Sequence, residues 1–166
     1  MRTHAINVSS WEVLQRLLTP ENALVIEVML HTGLRVSDVL TLRSEQLRKG
    51  QRFTVLESKT GKGKRIYIGK DLYFRLLAQC GKKYVFPGAR SEDCPRTRQA
   101  VWADVKRASK AMRIPLNVGT HSARKSYACA EYKRSGALSD VQRKLNHSSL
   151  ETTVLYLLDV FEGFGA

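Results

Sequence analysis

The sequence predicts an α+β domain that is mostly helical, with one small antiparallel β-sheet. Three observations carry that expectation. Apolar residues recur at helical spacing through most of the 166 residues, one stretch alternates at period two around a glycine-containing turn, and no repeat, low-complexity tract or linker interrupts the chain. With 43% hydrophobic and 26% charged residues there is material for one well-filled core, so residues 1–166 are expected to form a single domain.

Taken in order, SSWEVLQRLLTP reads as a helix in which Ser9 and Glu12 form a capping box and Trp11, Leu14, Leu17 and Leu18 share a face. TPENALVIEVMLHTG follows, with Thr19 as cap, Pro20 in the first turn and Gly33 as the stop; its nearly continuous apolar character marks a buried core helix. In LRVSDVLTLRSEQL, Ser37 is placed to cap a short helix that turns Val39, Leu40 and Leu42 inward, with Arg35 just before it. RFTVLESKTGKGKRIYIG changes period: Phe53 to Val55 and Ile66 to Ile68 alternate about a turn holding Gly61 and Gly63. That is a β-hairpin, and Lys59, Lys62, Lys64 and Arg65 crowd its tip. KDLYFRLLAQC returns to helix, KKYVFPGARSEDCPRT is a loop, and TRQAVWADVKRASKAM is an amphipathic helix with Val101, Trp102, Val105 and Met112 as its apolar members. The remainder reads as three helices, the first ended by Gly136 and the others capped by Ser139 and Ser149.

Lys and Arg number 28 against 15 Asp and Glu, a net charge of +13, so the expected partner is a polyanion, nucleic acid ahead of a membrane surface. The run ALVIEVML is broken by Glu27 and is far shorter than the roughly 20 residues of a membrane span. The first 15 residues lack the apolar stretch of a signal peptide. Cys80, Cys94 and Cys129 form no CxxC and cannot all pair, which points to a reducing cytoplasm and to no structural zinc. The acids are scattered, whereas a metal-dependent nuclease needs carboxylates clustered on divalent ions.

Thr120 is placed to cap the helix that carries His121 and Arg124, whose spacing of three puts both on one face near an anion-favouring N-terminus. With Arg35 at another helix start and a cationic hairpin, these groups can converge on one phosphate. Together with HTGLRVSDVLTLR, SKTGKGKRIYIG, HSARKSYA, LNHSS and TTVLYL, the chain resembles the catalytic domain of the tyrosine recombinases, the phage integrase family, over roughly residues 8 to 158. The segments run in the family's order, and His147 precedes Tyr156 by the family's usual nine residues. Asn146 stands where a glycine is common, and Ala123 and Lys125 where a leucine and a histidine are frequent.

The resemblance implies a tyrosine recombinase or type IB topoisomerase-like catalytic fold and metal-free, cofactor-free DNA strand transfer. Tyr156 would be the nucleophile, Arg35 and Arg124 the phosphate clamp, and His121 and His147 further donors, with His121 also placed to take the tyrosine proton. The hairpin lysine that protonates the leaving oxygen falls on Lys59 when the register is counted back from Gly69; Lys62 and Lys64 lie in the same turn as alternatives. Asp38 occupies the family's supporting-carboxylate position and would orient Arg35 or His121. Lys62, Lys64, Arg65, Arg98 and Lys106 are candidate DNA contacts. The expected partners are double-stranded DNA and other protomers in a synaptic tetramer on it, from a monomer in solution, in the cytoplasm at the nucleoid. The family's N-terminal DNA clamp domain is not expected within this sequence. A type IB topoisomerase, or a catalytically idle DNA-binding regulator of the same fold, is the alternative function.

Overall fold

A computed structural model describes residues 2–161. Its elements are α1 (Val8–Leu17), α2 (Pro20–Thr32), α3 (Val36–Leu40), α4 (Ser44–Arg48), β1 (Arg52–Leu56), β2 (Gly63–Tyr67), α5 (Lys70–Gln79), α6 (Arg98–Ala111), α7 (Thr120–Ser135), α8 (Leu138–Leu145) and α9 (Leu150–Phe161). The expected mostly helical architecture is present, and the stretch after Arg35 forms two short helices where one was expected.

α2 is the central helix. Pro20 opens it, Gly33 closes it in the left-handed region at φ 65°, and Val25, Ile26, Val28 and Met29 are at most 1% exposed. Burying each such side chain contributes about 1.5–3 kcal/mol relative to leaving it in water. Around this helix the larger core gathers Trp11 and Leu14 of α1, Val39 and Leu40 of α3, Leu72 and Leu76 of α5, and Val101 and Val105 of α6. A second, smaller core of Ala128, Cys129, Val141, Leu145 and Leu157 joins α7, α8 and α9.

Among the described residues the sheet is the hairpin alone: β1 and β2 pair antiparallel, with Phe53 opposite Ile66 and Val55 opposite Lys64. Val55 and Ile66 are buried on the core side, while Arg52, Thr54, Arg65 and Tyr67 face outward, the alternation that a half-covered sheet requires. The turn has Gly61 at φ 66°. Gly63 lies in β2, and Lys64 and Arg65 are strand residues, so the hairpin tip itself carries only Lys59 and Lys62.

Several caps differ from expectation because short polar residues compete for each helix start. Asn7, not Ser9, caps α1, its side chain accepting the Ser10 amide at 2.8 Å. Thr19 does precede α2, but its hydroxyl is 3.2 Å from a carboxylate oxygen of Asp104 and makes no cap bond. Arg35 holds the position before α3, Gly119 that before α7 and Ala137 that before α8, so Ser37, Thr120 and Ser139 fall inside their helices. Ser149 caps α9 as expected, accepting the Thr152 amide. Trp102, expected inward, is 52% exposed, because its position on α6 faces away from the stripe made by Val101, Val105 and Ala108.

Among the described residues, no helix is long and apolar enough to cross a membrane.

Candidate functional site

The starts of α3 and α7, the end of α8, the middle of α9 and the hairpin meet at one place, each delivering a polar side chain. At the start of α3, the backbone of Arg35 is still extended, and its guanidinium reaches 2.7 Å to the buried carboxylate of Glu57 just beyond β1. At the start of α7, His121 lies at the surface while Arg124, one turn on, is fully buried. The Arg124 guanidinium donates to two backbone carbonyls, those of Gly33 at the end of α2 and Leu145 at the end of α8. Arg124 therefore pins together the ends of α2 and α8, and Glu57 Oε1 lies 3.9 Å from its guanidinium.

α8 ends on Asn146 in the left-handed conformation, φ 53° and ψ 32°. Asparagine is the side chain that most readily replaces glycine in that conformation, so Asn146 can end the helix there. The turn carries His147 into the interior, where its Nδ1 is 3.1 Å from the hydroxyl of Thr153 on α9. Thr153, Tyr156 and Leu157 share one face of α9; Leu157 is fully buried in the smaller core, and this anchors the tyrosine beside it. The Tyr156 hydroxyl lies 2.6 Å from His121 Nε2, and its ring packs edge-on against His147 with centroids 4.7 Å apart.

The electrostatics are those of an anion site. Burial first, and then the Arg124 and Arg35 charges, push His147 down to about 4. Although His121 reaches the surface, partial desolvation of its ring against Tyr156, and then the charges of Arg124, Lys125, Arg35 and Lys59 in that order, lower it, which leaves the ring neutral at pH 7. Burial and Arg35 lower Arg124 itself. Among the described residues, buried side-chain atoms without a hydrogen-bond partner include Arg124 Nε, His147 Nε2 and Glu57 Oε1 in this group, and Asp38 Oδ2 beside it. Such unsatisfied groups are rare in folded proteins and gather where a ligand completes the bonding. Among the described residues, no group of His, Cys, Asp or Glu side chains is placed to hold a metal ion.

The structure thus brings Arg35, His121, Arg124, His147 and Tyr156 together. Lys59 is exposed on the adjacent turn, close enough for its charge to depress His121. Asp38 is placed otherwise than expected: it is 1% exposed, and its Oδ1 accepts from the Ser58 amide at 2.9 Å and the Ser58 hydroxyl at 2.7 Å, so it fastens the hairpin and bonds neither Arg35 nor His121. The carboxylate on Arg35 is Glu57, which the sequence reading missed; its signal was an acid at the inner end of an alternating strand, two residues before Lys59. Lys64 is withdrawn from the expected DNA-facing tip, donating at 2.6 Å to the Thr32 carbonyl at the end of α2, and burial lowers it to about 8. Lys62, Arg65 and Arg98 are exposed, whereas Lys106 bonds the side chain of Asn117; no described bond ties Arg98 or Lys106 to the site.

Compared with known structures, this arrangement has the fold of tyrosine recombinase catalytic domains. It superposes on the XerA recombinase with a TM-score of 0.75 at 17% identity, over 99% of this chain and 63% of that one. The catalytic domain of bacteriophage HP1 integrase gives 0.69 at 20% identity, over 95% of this chain and 89% of that one. A lambda integrase dimer bound to a COC′ core site gives 0.77 at 20%, over 96% of this chain and 49% of that one.

The chain belongs to the phage integrase family, whose model matches residues 11–162. Relatives include the probable integrase/recombinase YoeC of Bacillus subtilis strain 168, 28% identical over 77% of this chain and 72% of that protein. The tyrosine recombinase XerD of Shewanella oneidensis is 29% identical over 80% of this chain, which spans about half, 47%, of that protein's length.

Proposed function

We propose that this chain is the catalytic part of a site-specific DNA recombinase that cuts and rejoins DNA through a 3′-phosphotyrosyl intermediate. The observation that carries the reading is the Tyr156 hydroxyl, 2.6 Å from a neutral His121 ring nitrogen and beside two converging arginines. An unperturbed tyrosine, with a pKa of about 10, is a poor nucleophile at pH 7 unless a nearby base takes its proton.

In the cleavage step Tyr156 Oη bonds to the scissile phosphorus and the bond to the 5′ oxygen breaks. The tyrosine proton passes to His121 Nε2, and the departing oxygen takes a proton from Lys59 on the hairpin turn. Arg35 and Arg124 grip the non-bridging oxygens and offset the charge that grows on them, and the unpartnered Nε2 of His147 donates to the same oxygens once protonated. The phosphodiester energy is held in the tyrosyl ester, so a 5′-hydroxyl from another strand reverses the step. Exposed Lys62, Arg65 and Arg98 add backbone contacts, and strand exchange between duplexes requires protomers to assemble as a tetramer on the DNA, starting from monomers, at the nucleoid. Structures of similar fold include the XerH recombinase bound to a difH substrate and the lambda integrase dimer bound to a COC′ core site, in keeping with that partner.

Adduct trapping tests the reading. Fragmented DNA from the protein's own source is incubated with it, then denatured and digested, and whatever remains on peptide is sequenced. Discrete adducts in the wild type and none with Tyr156→Phe are the expected result, and they also reveal the target site. Adducts that persist in Tyr156→Phe remove the tyrosine from the role; adducts absent from both favour an idle DNA-binding regulator.

A further inference from the structure

Glu57 is the side chain around which the hairpin turn is built. Its backbone carbonyl accepts from the Gly61 amide at 2.8 Å and the Thr60 amide at 3.3 Å, and its own amide donates to the Lys62 carbonyl at 3.0 Å. Its carboxylate is completely buried and bonds in two directions through one oxygen: to Arg35 at 2.7 Å and to the Thr60 hydroxyl at 3.3 Å. The other oxygen, Oε1, has no hydrogen-bond partner among the described residues and lies 3.9 Å from the Arg124 guanidinium. Lys59 sits inside the loop that these bonds close. A buried carboxylate between two guanidinium groups offsets part of their mutual repulsion, and a charge-assisted bond to Arg35 fixes the guanidinium plane before any phosphate arrives. The neighbouring bond from Ser58 to Asp38 fastens the same turn to α3.

We propose that Glu57 is a positioning residue that sets Arg35 and Lys59 as one unit, so that the phosphate clamp and the donor to the leaving oxygen are aligned by a single side chain. This rests on the recombinase reading above. Glu57 touches neither the phosphate nor the leaving group; it acts through the arginine on one side and through Thr60 and the turn on the other. A loose turn would leave Lys59 free to sample many positions, and proton transfer is sensitive to displacements of an ångström or less.

The test uses Glu57→Gln, which keeps the shape and removes the charge, and Thr60→Val, which removes the hydroxyl's bonds to the Glu57 carboxylate and the Lys62 amide and leaves the Arg35 pair whole. Amide hydrogen exchange is read first, over residues 57–62 of the free protein. Both variants are expected to lose protection there and to keep it in α2; unchanged exchange in both overturns the proposal without reference to DNA. Cleavage is then timed on the trapped DNA site with oxygen, or with sulfur, as the bridging 5′ atom, since sulfur departs without a proton. Thr60→Val is expected to slow the oxygen substrate about tenfold more than the sulfur one, part of the roughly 10²–10⁴ that positioned proton transfer supplies. Glu57→Gln should slow both, and oxygen more. Equal slowing of the two substrates in both variants, at an unchanged melting midpoint, shows that the turn does not act through Lys59 and overturns the proposal. A wild type that forms no adduct sinks the recombinase reading instead, and leaves the exchange measurement to judge the tie.

Discussion

His147 is buried as a neutral ring, held at about 4 against an ordinary 6.5, first because burial disfavours its charged form and then because the Arg124 and Arg35 guanidinium groups share its surroundings. The unfolded chain therefore takes up a proton on this residue at pH values where the folded chain does not. Its contribution to stability is complete above pH 6.5 and is lost as pH falls toward 4. A phosphodiester between Arg35 and Arg124 reverses the local field and raises the ring's proton affinity, as it does for His121. Binding then takes up protons, so DNA affinity is expected to weaken as pH rises from about 5 to 8, with a shallower slope in His147→Gln. Titration of a labelled duplex at constant ionic strength measures this; an affinity independent of pH in the wild type would exclude the coupling. The residues of this site were legible in the sequence because their motifs stand in a fixed order. Glu57 was not, because nothing along the chain tells an acid paired with an arginine 22 positions away from an acid in water.

At the scale of the element, the end of α2 is the most constrained backbone in the site. Gly33 has φ 65°, a Cβ there would lie 2.4 Å from the Tyr127 ring, and its carbonyl is one of the two that hold Arg124. Gly33→Ala is accordingly expected to cost about 2 kcal/mol or more, from left-handed strain plus overpacking. It should also shift Arg124. Urea unfolding measures the first effect and DNA affinity the second; a stability unchanged within about 0.5 kcal/mol would mean that Tyr127 moves aside freely. Most helices and the hairpin were readable from period and stop signals, Gly33 and Gly136 ending their helices in the left-handed conformation as expected, although the stretch after Arg35 divides into α3 and α4 where one helix was expected. Starts were less legible. Asn7 over Ser9 and Gly119 over Thr120 are choices between neighbours that each satisfy a local rule, and packing decides between them. Lys64 shows the same limit within a strand, since its neighbours mark a cationic tip while the pairing opposite Val55 turns it back toward α2.

For the molecule as a whole, a net charge of +13 on 166 residues makes duplex binding chiefly a matter of counterion release. A protein with about 6–10 phosphate contacts loses roughly 10³–10⁵ in affinity between about 50 and 200 mM salt, and a comparable slope is expected here on any duplex. A flat salt dependence would point away from phosphate contacts altogether. That surface charge was plain from composition; the division of the interior into a larger core around α2 and a smaller one joining α7, α8 and α9 was not, because periodicity marks which face is apolar and not what it meets. The two tryptophans differ in burial. Trp11 is 2% exposed, its indole N–H donating to Ser126 at 2.8 Å, whereas Trp102 stands half in solvent beside Gly119, the residue that precedes the helix of His121 and Arg124. Their fluorescence therefore separates two signals: the buried indole reports whether the chain is folded, while the exposed one, open to an aqueous quencher, reports what arrives at the head of α7.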